Sequence, residues 1–164
     1  MLHLASKSPR RAELLARLGL DFGVLDLDLP EHRQPSEPPE DYVRRVAREK
    51  AGAGLLLVMS TPGAVVLGAD TEVILDDEVF GKPRDAEDAA AMLGRLSGRT
   101  HRAVSAVSVV SAERELWAVS VTEVTFMNGS IGVTGFATGQ RARRSRSFIS
   151  RWTCRLADFT AASD

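Results

Sequence analysis

Two hydroxyl and three cationic side chains gather where the first helix of this chain is predicted to begin. Ser8 is a good helix N-cap, and Pro9 is the preferred first residue of a helix. Because a helix N-terminus presents unpaired N–H groups and a partial positive charge, this turn predicts an anion site suited to a phosphate chain. An ordinary capped helix with solvated arginines is the alternative, although arginine there opposes the helix dipole. The polar residues of the turn are Ser6, Lys7, Ser8, Arg10 and Arg11.

Carboxylates form a second group of candidate residues. Asp70 directly follows an apolar run, residues 64–69, which predicts a strand covered on both faces. Ligands collect at the carboxyl ends of strands in α/β sheets, where a carboxylate can hold a divalent cation or take a proton from water. An aspartate that caps a turn is the alternative. Glu31 lies in a loop after another predicted strand and would reach the same edge, although a solvated loop acid is the simpler interpretation of Glu31 alone.

Two lysines complete the set of candidates. Lys50 continues the apolar stripe of the predicted helix 41–57, where a lysine either extends to solvent or meets an anion. Lys82 lies between Gly81 and Pro83, so the backbone around it can approach a ligand closely and is held in a fixed bend. A solvated surface lysine is the simpler interpretation of each one taken singly.

The hydrophobic pattern predicts the elements that position these residues. Short apolar runs alternate along the chain with segments of helical periodicity, and two long runs at residues 101–111 and 115–126 are typical of antiparallel strands. We therefore expect an α/β protein with a mixed, twisted sheet flanked by helices. The predicted strands are Leu2 with Leu4, then residues 22–29, 64–69, 71–75, 78–80, 101–111 and 115–126. The predicted helices run from Ser8 to Gly19, from residue 40 or 41 to residue 57, and from Asp85 to Gly98.

Composition is typical of a soluble globular protein. The chain has 164 residues, a length that is enough for one domain with a sizeable core. Of these residues, 44% are hydrophobic and 26% are charged. The single cysteine, Cys154, excludes an internal disulfide, and no cysteine–histidine cluster suggests zinc. We find neither an apolar run that could span a bilayer nor the layout of a signal peptide. A cytoplasmic protein without a membrane partner is expected.

The net charge of −1 conceals a change of composition near residue 128. Residues 1–128 hold 15 Lys/Arg and 20 Asp/Glu, whereas residues 129–164 hold six Arg, no Lys and two Asp. We expect residues 1–128 to form the functional domain and residues 129–164 to be an atypical Arg/Ser-rich tail that packs less well. The arginines of the tail could hold phosphates, but its aromatic residues lack the spacing of a stacking platform, so nucleic-acid binding is disfavoured.

Five stretches of the chain match, in order, the motifs of one protein family. The chain resembles the Maf family of nucleoside triphosphate pyrophosphatases over about its first 126 residues. Residues 33–50, and the first and third motifs, further resemble the branch that prefers dTTP and UTP rather than the branch that acts on 7-methyl-GTP. The five motifs are residues 4–11 with Leu14-Leu15, residues 47–51, Gly68-Ala69-Asp70-Thr71, residues 81–85 and residues 92–101.

The resemblance implies an activity and a role for each candidate residue. Such enzymes cleave a nucleoside triphosphate between the α and β phosphates and use Mg²⁺ or Mn²⁺. By the match, Asp70 is a general base or metal ligand and Glu31 a second metal ligand, although the family often has paired acids where this chain has Pro30-Glu31-His32. Lys50 and Lys82 would neutralise developing charge. The substrate-binding residues would be Ser8, Arg10, Arg11 and Thr71.

The resemblance also implies a fold and an assembly. The implied fold is the inosine-triphosphatase-like mixed α/β fold, with two lobes around a central cleft. A homodimer is the frequent state of such proteins.

The resemblance ends at about Phe126. The segments that follow in the family help to wall the cleft and supply a glutamine near the substrate, and they do not occur here. A shifted reading frame and a natural, divergent C-terminus both explain the change, and resequencing the gene distinguishes them. The alternative to an active enzyme is therefore a catalytically impaired nucleotide-binding remnant with a basic tail.

Overall fold

The computed structural model describes residues 1–127 of the chain. Within this range one mixed sheet of six strands is flanked by helices, which confirms the predicted fold class. The strands are β1 (Leu2–Ala5), β2 (Phe22–Val24), β3 (Val65–Leu75), β4 (Glu78–Phe80), β5 (Thr100–Val110) and β6 (Glu115–Thr125). The helices are α1 (Pro9–Ala16), α2 (Pro39–Leu57) and α3 (Ala86–Leu96). The predicted tail, residues 129–164, lies outside the described residues.

The sheet combines parallel and antiparallel pairs. Its strand order is β2-β1-β3-β5-β6, and β4 pairs with β3 beyond the end of β1. β1 runs parallel to β2 and to β3, and the remaining pairs are antiparallel. Since parallel neighbours need a crossover, α1 connects β1 to β2, and α2 connects β2 to β3.

Helix α2 lies unusually close to one face of the sheet. A Cβ atom at Gly68 of β3 would lie 2.3 Å from the backbone oxygen of Ala47, and one at Gly54 of α2 would lie 2.7 Å from the side chain of Val66. Both glycines are therefore required by close approach. The cluster buried between α2 and the sheet contains Tyr42, Val43, Val46, Ala47, Ile74, Val104 and Ala106.

The opposite face of the sheet is covered in part by α1. Leu15 of α1 packs with Leu4, Leu67 and Val109 in a second buried cluster. The α3 helix begins as predicted at Asp85, whose side chain accepts a hydrogen bond from the backbone N–H of Asp88. Of the helices within residues 1–127, none combines the length and the apolar character needed to cross a membrane.

Two predicted strand boundaries were wrong. The strand predicted for residues 22–29 ends at Val24, because β1, with which it pairs, is only four residues long. The predicted strands 64–69 and 71–75 form one strand, β3, because β5 pairs with it from Val66 to Ile74. Asp70 consequently lies in the middle of a strand and not after its end, although it is close to the level at which β1 ends.

Candidate active site

A gap beside β3 creates the site. β1 pairs with β3 up to Gly68, and β4 pairs with the same side of β3 only from Val73 onward. The four residues 69–72 therefore have no strand on that side within the described chain. Because side chains alternate along a strand, Asp70 and Glu72 both point to the face that α2 covers. The gap lets polar groups from α1, α2 and the loop before α2 reach them.

Lys50 of α2 joins two carboxylates at this gap. Its Nζ lies 2.8 Å from Oδ1 of Asp70 and 2.8 Å from Oε1 of Glu31. The side chains of Lys50 and Asp70 are only 11% and 4% exposed, so solvent screens this contact weakly. Lys50 therefore does not extend to solvent but contacts anionic side chains, which was the second alternative for a lysine on an apolar stripe. Arg11 adds a second cation, with Nη2 4.0 Å from Oδ1 of Asp70.

The loop that carries Glu31 is held against α2. The hydroxyl of Tyr42, a buried residue, donates a hydrogen bond to the backbone oxygen of Glu31 at 3.3 Å. Arg45 donates to the backbone oxygen of His32 and to the carboxylate of Glu37. Glu31 thus reaches the site from a loop whose backbone is fixed by side chains of α2.

The electrostatic environment keeps Glu31 ionised. Burial alone would raise the pKa of Glu31, but the hydrogen bond from Lys50 and the charges of Lys50, Lys82 and Arg11 outweigh burial, so the pKa of Glu31 lies below its ordinary value. The cations around Glu31 therefore favour the form that can bind a metal ion.

Glu72 belongs to the same cluster, although it was not among the residues predicted from the sequence. One carboxylate oxygen from each of Glu31, Asp70 and Glu72 lies within 4.8 Å of the others. Burial, together with the charges of Asp70 and Glu31, raises the pKa of Glu72 to about 7. The available signal was the spacing of two residues after Asp70, which places both side chains on one face of a strand.

The predicted phosphate site lies next to these carboxylates. A cleft of about 420 Å³ is lined by Glu31 and Lys50 on one side and by the start of α1 on the other. Ser6 is buried there, and its Oγ accepts hydrogen bonds from the Arg11 side chain and from the backbone N–H of Ser8. Further residues that line the cleft are Ala5, Lys7, Leu27, Asp28, Leu29 and Lys82.

Hydrogen bonding at the start of α1 differs from the prediction in one respect. Ser8 holds the N-cap position, but its side chain makes no capping hydrogen bond. Ser6 takes part of that role, since its hydroxyl receives the backbone N–H of Ser8. Lys7, which also lines the cleft, is paired with Asp26, with Nζ and Oδ1 2.6 Å apart, and this contact raises the pKa of Lys7.

Two of the predicted site residues do not join the cluster. Arg10 is exposed on the first turn of α1 and does not line the cleft. Thr71 points to the other face of the sheet, where its Oγ1 lies 3.0 Å from Oγ of Ser105. The structure thus brings together Ser8, Arg11, Glu31, Lys50, Asp70 and Lys82, and leaves Arg10 and Thr71 outside.

The acidic cluster fits a hard divalent cation. Its donors are carboxylate oxygens, the ligands that Mg²⁺ and Mn²⁺ prefer. The second oxygen of Asp70, Oδ2, is buried and accepts no hydrogen bond from any residue between 1 and 127. A buried carboxylate oxygen without a partner is costly, and a cation would satisfy it. The arrangement can therefore hold a metal ion between a set of carboxylates and a basic, anion-attracting cleft.

Comparison with known proteins identifies the family of the chain. The family model described as "Maf-like protein" matches residues 1–131. A dTTP/UTP pyrophosphatase of Xanthomonas euvesicatoria pv. vesicatoria (strain 85-10) is 58% identical over 128 residues, which cover 77% of this chain and 67% of the relative. A nucleoside triphosphate pyrophosphatase of Xylella fastidiosa (strain 9a5c) is 58% identical over 112 residues, which cover 68% of this chain and 59% of that relative.

A solved structure supports the fold independently. The Ham1 protein of Staphylococcus aureus superimposes with a TM-score of 0.64 at 15% identity, covering 96% of this chain and 98% of that chain. Fold and site together define an α/β protein with an acidic cluster at a basic cleft. The family itself is identified by the length of the family match and by the identity of the relatives. The chain belongs to the Maf-like proteins, which confirms the resemblance drawn from its motifs.

Proposed function

We propose that this chain hydrolyses dTTP and UTP to the nucleoside monophosphate and pyrophosphate. The observation that carries the proposal is the position of the Lys50-bridged carboxylates, Asp70 and Glu31, beside the basic start of α1. The choice of dTTP and UTP rests on the relatives that bear this description, such as the Xanthomonas protein at 58% identity. A triphosphate that lies in the cleft would meet cations along its chain and carboxylates at the bond to be broken.

Asp70 and Glu31 are the proposed metal ligands. A bound Mg²⁺ or Mn²⁺ ion would supply charge neutralisation at the phosphates and a more acidic water molecule. Both carboxylates lie 2.8 Å from Nζ of Lys50, so they are positioned before substrate arrives. Preorganisation of this kind removes a reorganisation cost from the reaction step.

Asp70 is also the proposed general base. Its Oδ1 is held by Lys50 and its Oδ2 is buried without a hydrogen-bond partner among residues 1–127, so the carboxylate would accept a proton from a water molecule that enters the site with the substrate. Attack of this water oxygen on the α-phosphorus would then expel pyrophosphate, whose developing charge needs nearby cations. Ligation and proton acceptance both place Asp70 at the reacting atoms.

Arg11, Ser8 and Lys82 are the proposed phosphate-binding residues. All three line the cleft, and Arg11 is oriented by its hydrogen bond to the buried Ser6. Arg10 stays a proposed contact because it stands on the same first turn of α1. Thr71 stays a proposed contact by its place in the Gly-Ala-Asp-Thr motif alone, since its side chain lies on the other face of the sheet.

The test is pyrophosphate release from purified protein. Incubation with dTTP and with UTP should release pyrophosphate and not orthophosphate, and chelation of divalent cations should stop the reaction. Release of orthophosphate, or the same rate after chelation, would contradict the proposed reaction.

A second candidate function is nucleotide binding without turnover. It is suggested by the change of composition near residue 128, beyond which the family-like motifs do not continue. Calorimetric titration with dTTP in the presence of Mg²⁺ distinguishes the two, because a binding protein would give a stable saturation isotherm without pyrophosphate.

A homodimer and a cytoplasmic location stay predictions, which sedimentation equilibrium and cell fractionation test.

A further inference from the structure

Glu72 is the member of the acidic cluster that no motif accounts for. It lies on β3 two residues after Asp70, on the face of the sheet that α2 covers and from which Lys50 reaches Asp70. It also lies in the gap between the end of β1 and the start of β4, where β3 has no neighbouring strand on that side within residues 1–127. Backbone geometry therefore directs Glu72 to the same point as Asp70.

Glu72 has no cationic partner in direct contact within residues 1–127. Lys50 makes ion pairs with Asp70 and Glu31, and Glu72 makes no hydrogen bond or ion pair with any residue between 1 and 127. Burial of a carboxylate without a partner is unfavourable, so a half-buried glutamate in this position needs a further explanation.

The local charge count points to a divalent ion. Three carboxylates face the ammonium of Lys50 and the guanidinium of Arg11, which lies 4.0 Å from Asp70, so the acidic side chains outnumber the cations in contact with them. The unpartnered, buried Oδ2 of Asp70 is a second and independent indication that a ligand completes this cluster. A divalent cation would satisfy both the charge and the oxygen.

We propose that Glu72 is a third carboxylate ligand of the divalent cation held by Asp70 and Glu31. This inference rests on the metal-assisted hydrolysis proposed above and extends it to a residue outside the five family-like motifs of the sequence analysis. A third anionic oxygen ligand increases affinity for a hard cation, because affinity rises with the number of charged ligands. Glu72 would thus let the site bind its metal before the nucleotide arrives.

The experiment measures metal binding in the absence of nucleotide. The intact chain, freed of metal by chelation and dialysis, is titrated with Mn²⁺, and free Mn²⁺ is followed by its electron paramagnetic resonance signal. Glu72→Gln should weaken Mn²⁺ binding by about tenfold or more, since loss of an outer-sphere partner alone costs about 10–100-fold. Glu123→Gln, which removes an exposed acid from β6, is the matched control and should bind Mn²⁺ as the parent does.

A conservative variant separates ligation from general electrostatics. Glu72→Asp keeps the charge but moves the oxygens back by one carbon, so a ligand role predicts weakened binding, whereas a role of charge alone predicts binding equal to the parent. Circular dichroism of each variant checks that the fold is kept. Parent-like affinity in Glu72→Gln, or in Glu72→Asp alone, would overturn the assignment.

Failure of this inference is distinguishable from failure of the proposed function. If Asp70→Asn loses Mn²⁺ while Glu72→Gln keeps it, the metal site stands without Glu72. If the parent itself binds no Mn²⁺, the third-ligand assignment is wrong, and pyrophosphate release measured on the same preparation decides the proposed activity separately.

Discussion

At the scale of single residues, Lys50 connects the acidic and basic halves of the site. It takes a helix position that otherwise faces the core, and its charge is neutralised there by Asp70 and Glu31. A buried charge is tolerated when it is paired in this way. If one partner is removed, the other remains buried as an uncompensated charge, and the protein is destabilised. The chemistry of the site and the stability of the α2–β3 contact therefore depend on the same side chains.

We expect Asp70→Asn to keep the fold and to lose hydrolysis. Asparagine retains an oxygen for Lys50 but can neither accept a proton nor bind a cation as a carboxylate does, so turnover should fall by roughly a hundredfold or more. Pyrophosphate release from dTTP, with circular dichroism as the check on folding, measures this. Glu123→Gln serves as the control, and parent-like turnover in Asp70→Asn would show that the catalytic assignment is wrong.

Lys82→Ala and Arg11→Ala should weaken binding of dTTP more than binding of thymidine. Both residues line the cleft beside the carboxylates, and loss of a charge-assisted contact costs about 1.5–3 kcal/mol, or roughly ten- to a hundredfold in affinity. Titration of each variant with the two ligands measures the difference. Arg17→Ala, at the exposed C-terminal end of α1, is the control, while Arg10→Ala tests whether that residue contacts phosphate. Equal losses for nucleotide and nucleoside would argue against a phosphate role.

At the scale of elements, the packing of α2 on β3 determines the geometry of the site. α2 carries Lys50, and β3 carries Asp70, so the 2.8 Å contact between them depends on how closely the helix approaches the strand. Gly68 permits that approach, because a larger side chain would meet the backbone of α2. Glu31 is tied to the same helix through the hydroxyl of Tyr42.

Gly68→Ala should reduce both stability and activity. Its Cβ would lie 2.3 Å from the backbone oxygen of Ala47, so α2 must shift, and overpacking of this kind costs about 1–3 kcal/mol. The shift would also separate Lys50 from Asp70. Urea unfolding and pyrophosphate release measure the two effects.

The chain offers a matched control for this substitution on α2 itself. A Cβ at Gly52 would meet no atom of residues 1–127 within 4 Å, so Gly52→Ala should stabilise the protein by about 0.5–1 kcal/mol through helix propensity. Equal stability of Gly68→Ala and the parent would mean that the close helix–strand contact is absent in solution.

At the scale of the whole molecule, we expect a buried histidine outside the candidate site to make the stability of the fold depend on pH. His101 on β5 is 4% exposed, its ring packs edge-on against Phe126 with centroids 4.7 Å apart, and its Nδ1 has no partner among residues 1–127. Burial lowers the pKa of His101 below its ordinary value of 6.5, and the hydrogen bond with the backbone of Arg99 only partly opposes this effect. The folded protein thus binds a proton here less readily than the unfolded chain.

This difference predicts a loss of stability on the acid side of pH 6.5. Above that pH His101 is neutral in both states, whereas below it the unfolded chain is protonated first, so stability falls from about pH 6.5 down to the lowered pKa of the folded state. Unfolding by urea at pH values between 5 and 8 measures the slope. His101→Gln should show a smaller slope than the parent, and His32→Gln, in an exposed loop, should keep the slope of the parent. The same slope in His101→Gln would contradict this assignment.

Local patterns in the sequence determined much of this protein. The capped start of α3 at Asp85, the start of α1 at Ser8-Pro9 and the alternation along β5 and β6 depend on neighbouring residues, so they were predictable, and the order of motifs was sufficient for the family. Tertiary structure alone decided which side chains meet. Pairing of β3 with β5 made Asp70 a mid-strand residue, so strand alternation put Glu72 beside it and Thr71 on the other face, and the gap between β1 and β4 let Lys50 and Glu31 reach Asp70. The physical reason is that strand register and helix approach arise from contacts between residues distant in sequence, which no local pattern encodes.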